Sequence, residues 1–325
     1  NLSFDEAREM ILWIMSEEAV PVKAAALLAL LQAKGTIPDE MAGAASAMRE
    51  RAMKIRAPEN VIDTCSTGGN GISTFNISTC AAIIAAAAGA VVAKQGNRSN
   101  TRTSGSAEVL EMLGVNIGMG VAGVQQCLDQ LGLCFCYAVN HHPAMRFAGP
   151  IRKELGVPTV FNLLGPLTNP AGARRQLIGV PNQALTRTMA EVLKRLGSKQ
   201  VLVVHGEDGL CELTMSGATF VAELRDGEIR EYTITPEELG LERGDLDAIR
   251  ITEAEESAAT IRGILSGTEH GPARTIALMN TAGALLVSGV TDDLKAGVTL
   301  ATEAVDSGKA QAKLNALVEF TQQAA

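Results

Sequence analysis

Three observations predict an α/β protein, a small helical subdomain ahead of a larger α/β domain whose central, mostly parallel sheet is flanked by helices. The first sixty residues carry helical spacing throughout. From Val61 onward, short strand-like runs alternate with helical stretches, the pattern of a parallel sheet covered by helices. Two of the strand-to-helix connections are rich in glycine and hydroxyl residues, as loops that cradle anions are.

In chain order, Ser3 with Glu6 three places on is a capping-box signature, and Phe4, Ala7, Ile11 and Ile14 share one face of the helix that follows. Pro21 and Pro38 suit the first turns of two further helices, and Gly35 suits a helix stop. These elements set a helical subdomain over residues 1–60 and an α/β domain over 61–325. Val61 and Ile62 open the first strand, and Ile77 to Ala93 is a buried helix followed by the strand run Val91 to Ala93. Further strand-like runs are Leu133 to Val139, Gln176 to Val180 and Gln200 to Val204. Phe220 to Ile234 carries Asp226-Gly227 between two apolar runs, the signature of a hairpin, and helices dominate from Glu253 to the end.

Composition narrows the function classes. With 325 residues the chain can bury a large core, and a formal net charge of −8 argues against a general nucleic-acid binder, whose phosphate contacts need a basic excess. No run matches a membrane span: Ile77 to Ala93 contains Ser78, Thr79 and Gly89, and its alanines give little insertion energy. The six cysteines, Cys65, Cys80, Cys127, Cys134, Cys136 and Cys211, form neither a disulfide framework nor paired zinc spacing, so reduced cytosolic thiols are expected. The start of the chain lacks a signal-peptide pattern.

The first loop, Ser66-Thr67-Gly68-Gly69-Asn70-Gly71, runs into an alanine-rich helix. Its glycines let backbone N–H groups turn toward an anion, and the orphan donors of the helix start add partial positive charge. Two familiar phosphate motifs fail the test here. A triphosphate loop needs Gly-Lys-Ser/Thr, whereas Ile72-Ser73-Thr74 follows Gly71; a dinucleotide fingerprint needs a third glycine where Thr74 stands. A second anion loop follows the next strand: Lys94, Gln95, Gly96, Asn97 and Arg98, then Thr101-Arg102-Thr103-Ser104-Gly105-Ser106 opening another helix. Two anion cradles in series suggest a ligand with phosphates at two ends, such as a phosphorylated sugar diphosphate.

At these residues the chain resembles the anthranilate phosphoribosyltransferases. The resemblance rests on Ser66 to Thr79, Lys94 to Ser99, Gly105 to Glu111, His142-Pro143-Ala144-Met145-Arg146 and Phe161 to Pro170, and it runs over nearly the whole chain. It implies transfer of the phosphoribosyl group of phosphoribosyl diphosphate to the amine of anthranilate, in a homodimeric, Mg²⁺-dependent enzyme of tryptophan synthesis. It also implies that helices from about 143–175 return to join the helical subdomain, with the active site between the two parts. By the same resemblance, Gly69, Asn70, Thr74, Asn76, Ile77, Ser78, Thr79, Lys94, Gln95, Gly96, Asn97, Arg98 and Ser106 contact phosphoribosyl diphosphate. Ser66, Asn97 and Arg152 contact anthranilate, Gly165-Pro166 shapes a pocket wall, and His142 lies near the acceptor entrance. Ser78 and Glu212 hold the metal, and no side chain acts as a nucleophile: positioning and charge stabilisation carry the reaction.

Departures from the family pattern gather around the same pocket. Ser66 replaces a usual glycine, Asn70 an aspartate and Gln95 a histidine; in Asp208-Gly209-Leu210-Cys211-Glu212, Cys211 replaces the first acid of a metal-binding pair. Asparagine and glutamine keep hydrogen bonding but lose charge or proton transfer. A thiol is a poor magnesium ligand, which leaves Glu212 as the acid of that segment, with Asp208 or water as substitutes. The adjacent His141-His142 pair is poorly placed to chelate one ion, since neighbouring side chains diverge. Two other readings stand beside the transferase: a nucleoside-phosphorylase-like enzyme using the same glycine loop, which the long second motif disfavours, and a non-catalytic nucleic-acid-binding relative, which the acidic balance disfavours.

Overall fold

The computed structural model describes residues 1–99 and 103–323. Its centre is a seven-stranded sheet in the order β3-β2-β1-β4-β5-β6-β7. The strands are β1 (Ile62–Ser66), β2 (Val92–Gly96), β3 (Leu133–Tyr137), β4 (Arg175–Gly179), β5 (Gln200–Gly206), β6 (Thr219–Arg225) and β7 (Glu228–Ile234). The first five run parallel, and β6 and β7 close one edge as an antiparallel hairpin. Its turn, Asp226-Gly227, has φ of 52° and 79°, the left-handed pair that matches the twist of two-residue hairpins.

Helices α1 (Phe4–Ile14), α2 (Pro21–Lys34) and α3 (Pro38–Arg51) precede the sheet. The Ser3–Glu6 capping box forms as its spacing predicts, Pro21 and Pro38 open α2 and α3, and Gly35 closes α2 at φ 81°. After β1 come α4 (Ile77–Ala87), then α5 (Ser106–Met112) and α6 (Val121–Leu131) around β2. After β3 come α7 (Ala138–His141), α8 (Met145–Leu155) and α9 (Phe161–Leu164), and α10 (Ala184–Arg195) joins β4 to β5. The chain ends in α11 (Ala254–Leu265), α12 (Pro272–Ser288), α13 (Leu294–Asp306) and α14 (Lys309–Gln323).

Two apolar cores sandwich the sheet. One joins α4, α5, α6 and α11 to α14 to the face bearing Leu177, Leu202 and Val204. The other joins α1, α2, α3, α8, α9 and α10 to the face bearing Ile178, Val201, Val203 and Leu224. Strands buried on both faces read as continuous apolar runs, and α4, which is buried nearly all round, explains why alanines rather than an amphipathic stripe fill it. Among the described residues no helix is long and apolar enough to cross a membrane.

One strand is shorter than its sequence suggests. The apolar run continues to Val139, yet β3 stops at Tyr137, because its partner β2 ends at the paired Gly96 and turns away into a loop. Without a ladder, Ala138 and Val139 coil into α7, and Val139 is left exposed.

The topology fixes where a ligand goes. β2 and β3 lie on one side of β1 while β4 and β5 lie on the other, so the carboxyl ends of β1 and its neighbours form a topological switch point.

Candidate functional site

β1 and β4 end in register, Ser66 opposite Gly179, and the glycine loop leaves β1 with Gly68, Gly69 and Gly71 at φ of 67°, 85° and 70°. These angles turn the chain sharply enough to bring it back as an extended segment. There Thr74 bridges Arg250 and Ile251 donates from its N–H to the Ser73 carbonyl at 3.1 Å, a contact the sequence did not announce. Asn76 then positions the start of α4. Its Oδ1 accepts from Ser104 Oγ at 2.9 Å and Ser257 Oγ at 2.7 Å, and its backbone N–H donates back to Ser257 Oγ at 2.9 Å. Ile77 and Ser78, in the first turn of α4, therefore line a cleft; the N–H groups of Asn76, Ile77 and Thr79 donate to Ser257 Oγ and to the Phe75 and Asn76 carbonyls, so among the described residues the Ser78 N–H is the helix-start donor left for an anion.

The end of β2 forms the adjoining wall. Lys94, 4% exposed, donates from Nζ to the Thr64 carbonyl at 2.5 Å and to Ser78 Oγ at 3.1 Å. Burial pulls its ammonium below the ordinary lysine value, opposed by Asp63, Cys65 and Glu212. Gly96 admits no side chain: a Cβ there would lie 2.0 Å from Ser106 Oγ and 2.8 Å from the Phe135 ring. This close approach seats the second loop on α5, where Glu108 accepts from the N–H groups of Gly105 at 3.0 Å and Ser99 at 3.3 Å. Arg98 is half exposed and already paired to Glu111 at 2.8 Å.

The facing wall comes from α8, α9 and the turn after them. Arg152 lays its guanidinium 5.2 Å from the centre of the Phe161 ring, and Asn162, Gly165 and Pro166 continue the surface. Burial lowers the Arg152 pKa, yet a guanidinium stays charged at neutral pH. An arginine stacked on an aromatic, with no ion-pair partner among the described residues, suits a small aromatic carboxylate.

The cleft encloses about 360 Å³. It brings together Ser66, Asn76, Ile77, Ser78, Lys94, Gln95, Gly96, Asn97, Arg98, Ser106, Arg152 and Glu212 from the residues singled out in the sequence. Gly69, Asn70, Thr74 and Thr79 are not on its wall. Asn70 Nδ2 donates to the Gly209 carbonyl at 3.0 Å, tying the glycine loop to the segment that carries Glu212. Thr74 and Thr79 are buried, and the Thr79 hydroxyl has no hydrogen-bond partner among the described residues. Thr101 and Arg102 lie outside the described residues. Sequence reading missed Ser104 and Ser257 as the braces of Asn76 and, although Phe161 opens one of the motifs of the resemblance, gave it no part in the pocket wall; an aromatic opening a single helical turn carries no local signal of its function.

Glu212 and Ser78 both reach the cleft, and both offer hard oxygen. Among the described residues no group of three or more histidine, cysteine or acidic side chains could hold an ion. The donor set therefore fits a magnesium that arrives with a diphosphate and keeps waters, and does not fit a protein-caged metal. Asp208 is unsuited as a substitute ligand, because its carboxylate accepts from Leu210 N–H, Thr214 Oγ1 and Ser216 Oγ within its own loop. The Cys211 thiol is buried and faces the Gly68 carbonyl at 3.9 Å.

His142 is not at the entrance, where the resemblance puts it, but buried beneath Gln95, whose Nε2 lies 3.2 Å from His142 Nε2 and 3.4 Å from Thr168 Oγ1. It supports a wall residue without reaching the surface. Burial, aided by His141, lowers its pKa to about 4, so at neutral pH the ring is uncharged and accepts from Gln95. In the unfolded chain a histidine protonates below about 6.5, so acid favours unfolding. The stabilisation is complete above pH 6.5 and declines as the pH falls toward 4, by about 3 kcal/mol. Urea titrations at pH 7 and pH 4.5 check this: His142→Gln should flatten the difference by most of that amount.

Comparisons with known proteins agree over the whole chain. Residues 1–52 match the helical bundle domain of the glycosyl transferase family, and residues 58–311 match its a/b domain. An anthranilate phosphoribosyltransferase of Nitrosomonas europaea is 46% identical over 325 residues, covering 99% of this chain and 95% of its own. The crystal structure of the anthranilate phosphoribosyltransferase of Thermus thermophilus superposes with a TM-score of 0.94 at 43% identity, covering 99% of this chain and 96% of that one. That of Saccharomyces cerevisiae in complex with PRPP and Mg gives 0.90 at 28% identity, covering 99% and 94%.

Proposed function

Because the chain belongs to the glycosyl transferase family, among its anthranilate phosphoribosyltransferases, we propose that the two anion loops take phosphoribosyl diphosphate and the Arg152–Phe161 wall takes anthranilate. The enzyme transfers the phosphoribosyl group to the anthranilate amine and releases diphosphate, a step of tryptophan synthesis. One observation carries the assignment of sides: a buried lysine and a helix start line one wall, and an arginine stacked on an aromatic lines the other.

The amine nitrogen forms a bond to C1 of the ribose as the bond from C1 to the diphosphate oxygen breaks, and the amine then gives up a proton. An aromatic amine is already a nucleophile, so the protein's task is to hold the reactants in line and stabilise the leaving charge. Lys94 has three N–H donors, of which Thr64 and Ser78 take two, leaving the third for the diphosphate. The α4 start at Ser78, with the Asn76 side chain, the loop from Gln95 to Arg98 and Ser106, supplies further donors, and Ile77 lines the wall beside them. Gly69 and Asn70 act through the turn of the glycine loop, and the buried Thr74 and Thr79 act from behind the wall. Glu212 and Ser78 would hold magnesium, which would supply charge neutralisation for the diphosphate. Arg152 pairs with the anthranilate carboxylate, while Ser66 and Asn97 border its ring.

The enzyme works as a homodimer in the cytosol in this reading. Val20, Val22, Leu27 and Leu30 expose an apolar stripe along α2, with Val22 79% exposed, and six cysteines in the thiol form suit a reducing compartment.

Loss of anthranilate fluorescence on mixing protein, Mg²⁺, phosphoribosyl diphosphate and anthranilate tests the function, with each component omitted in turn. Loss that needs every component is expected. Arg152→Gln should raise the anthranilate concentration for half-maximal rate by about tenfold or more, as loss of a charge-assisted hydrogen bond does, and leave the diphosphate requirement unchanged. A folded protein that binds the diphosphate without consuming anthranilate would exclude this acceptor.

A further inference from the structure

We propose that Asn280 is the positioning residue for Glu212, an inference that rests on the reading of Glu212 as the metal-side acid of the cleft. The chain between β5 and β6 carries Glu212 through residues 207–218 without a helix or strand, so the carboxylate takes its place from whatever packs on that segment. Asn280 lies in the middle of α12 and is 2% exposed. Its Oδ1 accepts from the Leu213 N–H at 3.0 Å, and its Nδ2 donates to the Leu213 carbonyl at 2.8 Å and the Ile276 carbonyl at 2.9 Å.

One side chain thus satisfies both backbone polar groups of the residue next to Glu212, as a neighbouring strand would. A buried amide in an otherwise apolar helix face must find such partners, and asparagine is a weak helix former, so helix stability does not account for it. Gly283, on the same face of α12, lets the segment sit close: a Cβ there would meet Leu213 Cδ1 at 2.9 Å. From the sheet side, Gly179 admits the Cys211 carbonyl, where a Cβ would lie 1.5 Å away. Residues 211–213 are therefore clamped between the end of β4 and α12. Asn280 touches neither substrate nor metal in this scheme; it acts through the Leu213 backbone, one peptide from Glu212.

The test compares wild type, Asn280→Ala, Asn280→Asp and Thr281→Val. Aspartate keeps the acceptor for Leu213 and loses both donors. Thr281 is equally buried, and its hydroxyl bonds only the Ala277 carbonyl of its own helix at 2.8 Å, so its variant reports general damage to α12. Two quantities are read: hydrogen exchange of the amides of 209–214 in the free protein, and the Mg²⁺ concentration at which phosphoribosyl diphosphate binds half-maximally in calorimetry. In wild type the Leu213 amide should exchange as slowly as the core of α12. Asn280→Ala should speed exchange in the segment and raise the Mg²⁺ requirement about tenfold, the usual scale for residues that orient metal ligands. Asn280→Asp, which sets a buried carboxylate oxygen against the Leu213 and Ile276 carbonyls, should do at least as much as Asn280→Ala, and Thr281→Val neither.

Fast wild-type exchange at Leu213 overturns the proposal even if every variant fails to fold. So do folded Asn280 variants with wild-type exchange, or a Thr281→Val protein that reproduces both shifts. Faster exchange with an unchanged magnesium response overturns instead the reading of Glu212 on which the proposal rests, and wild-type turnover reports separately on the reaction itself.

Discussion

Lys94→Met should lower kcat/KM for phosphoribosyl diphosphate by about 10²–10³-fold, the scale on which one preorganised donor to a developing anion acts. Methionine keeps the length and apolar stem of lysine, so the change isolates the charge. Two neighbours hold the ammonium in place, the Thr64 carbonyl and Ser78 Oγ, and it reorganises little when the diphosphate leaves. Arg98 offers a contrast on the same strand end. It is half exposed and its guanidinium already pairs with Glu111, so screening and competition reduce what it can do for the leaving group. Arg98→Ala should therefore be the milder of the two variants in steady-state assays. A Lys94→Met enzyme within about threefold of wild type, with an unchanged circular dichroism spectrum, would remove Lys94 from the leaving-group role, since a donor of this kind contributes far more than that.

Much of the site was legible because its backbone requirements are local. Gly68, Gly69 and Gly71 announce left-handed turns, and Lys94 to Arg98 span the end of one strand and the start of the loop after it, so the loops could be found from neighbouring residues. The fold was legible for the same reason: the capping box at Ser3, the prolines opening α2 and α3 and the Asp226-Gly227 turn are each decided within a few residues. What could not be read depends on pairs far apart in the chain. Asn76 is braced by Ser257, Leu213 by Asn280, and Thr74 by a bridge to Arg250. Nothing near Ser257 or Asn280 marks either as a support of the cleft. The burial of His142 falls in the same class, because the side chain that covers it, Gln95, comes from β2, far back in the chain.

These distant pairs also give the four departures from the family pattern different weights. Ser66 and Gln95 lie on the wall, where a hydroxyl and a carboxamide face the ligands. Asn70 and Cys211 act at the seam between the glycine loop and the segment of Glu212: Asn70 bonds the Gly209 carbonyl, and the Cys211 thiol faces the Gly68 carbonyl. An aspartate at either position would set a carboxylate beside a carbonyl oxygen unless a cation lay between them. The asparagine and the thiol avoid that repulsion by meeting the two carbonyls as neutral groups.

Gly179→Ala should damage both stability and activity. The alanine Cβ would stand 1.5 Å from the Cys211 carbonyl oxygen and 2.4 Å from its carbon, and both are backbone atoms that cannot rotate aside. β4 is held on both sides by parallel ladders, so the mobile partner is the irregular segment, which must withdraw by more than an ångström and take Glu212 with it. Overpacking of this kind costs about 3 kcal/mol, and a misplacement of about 1 Å at a positioning group lowers turnover by about 10²-fold. Gly149→Ala is the matched control. It lies within α8 with no atom beyond its own chain neighbours inside 4 Å of its Cβ, and the following Pro150 offsets the usual helical gain of alanine, so alanine there should change stability by less than about 1 kcal/mol and leave turnover unchanged. Urea midpoints and steady-state rates of the two variants separate steric displacement of the Glu212 segment from the general effect of replacing a glycine. A Gly179→Ala enzyme as active as the Gly149→Ala control would mean that the end of β4 does not set the position of Glu212.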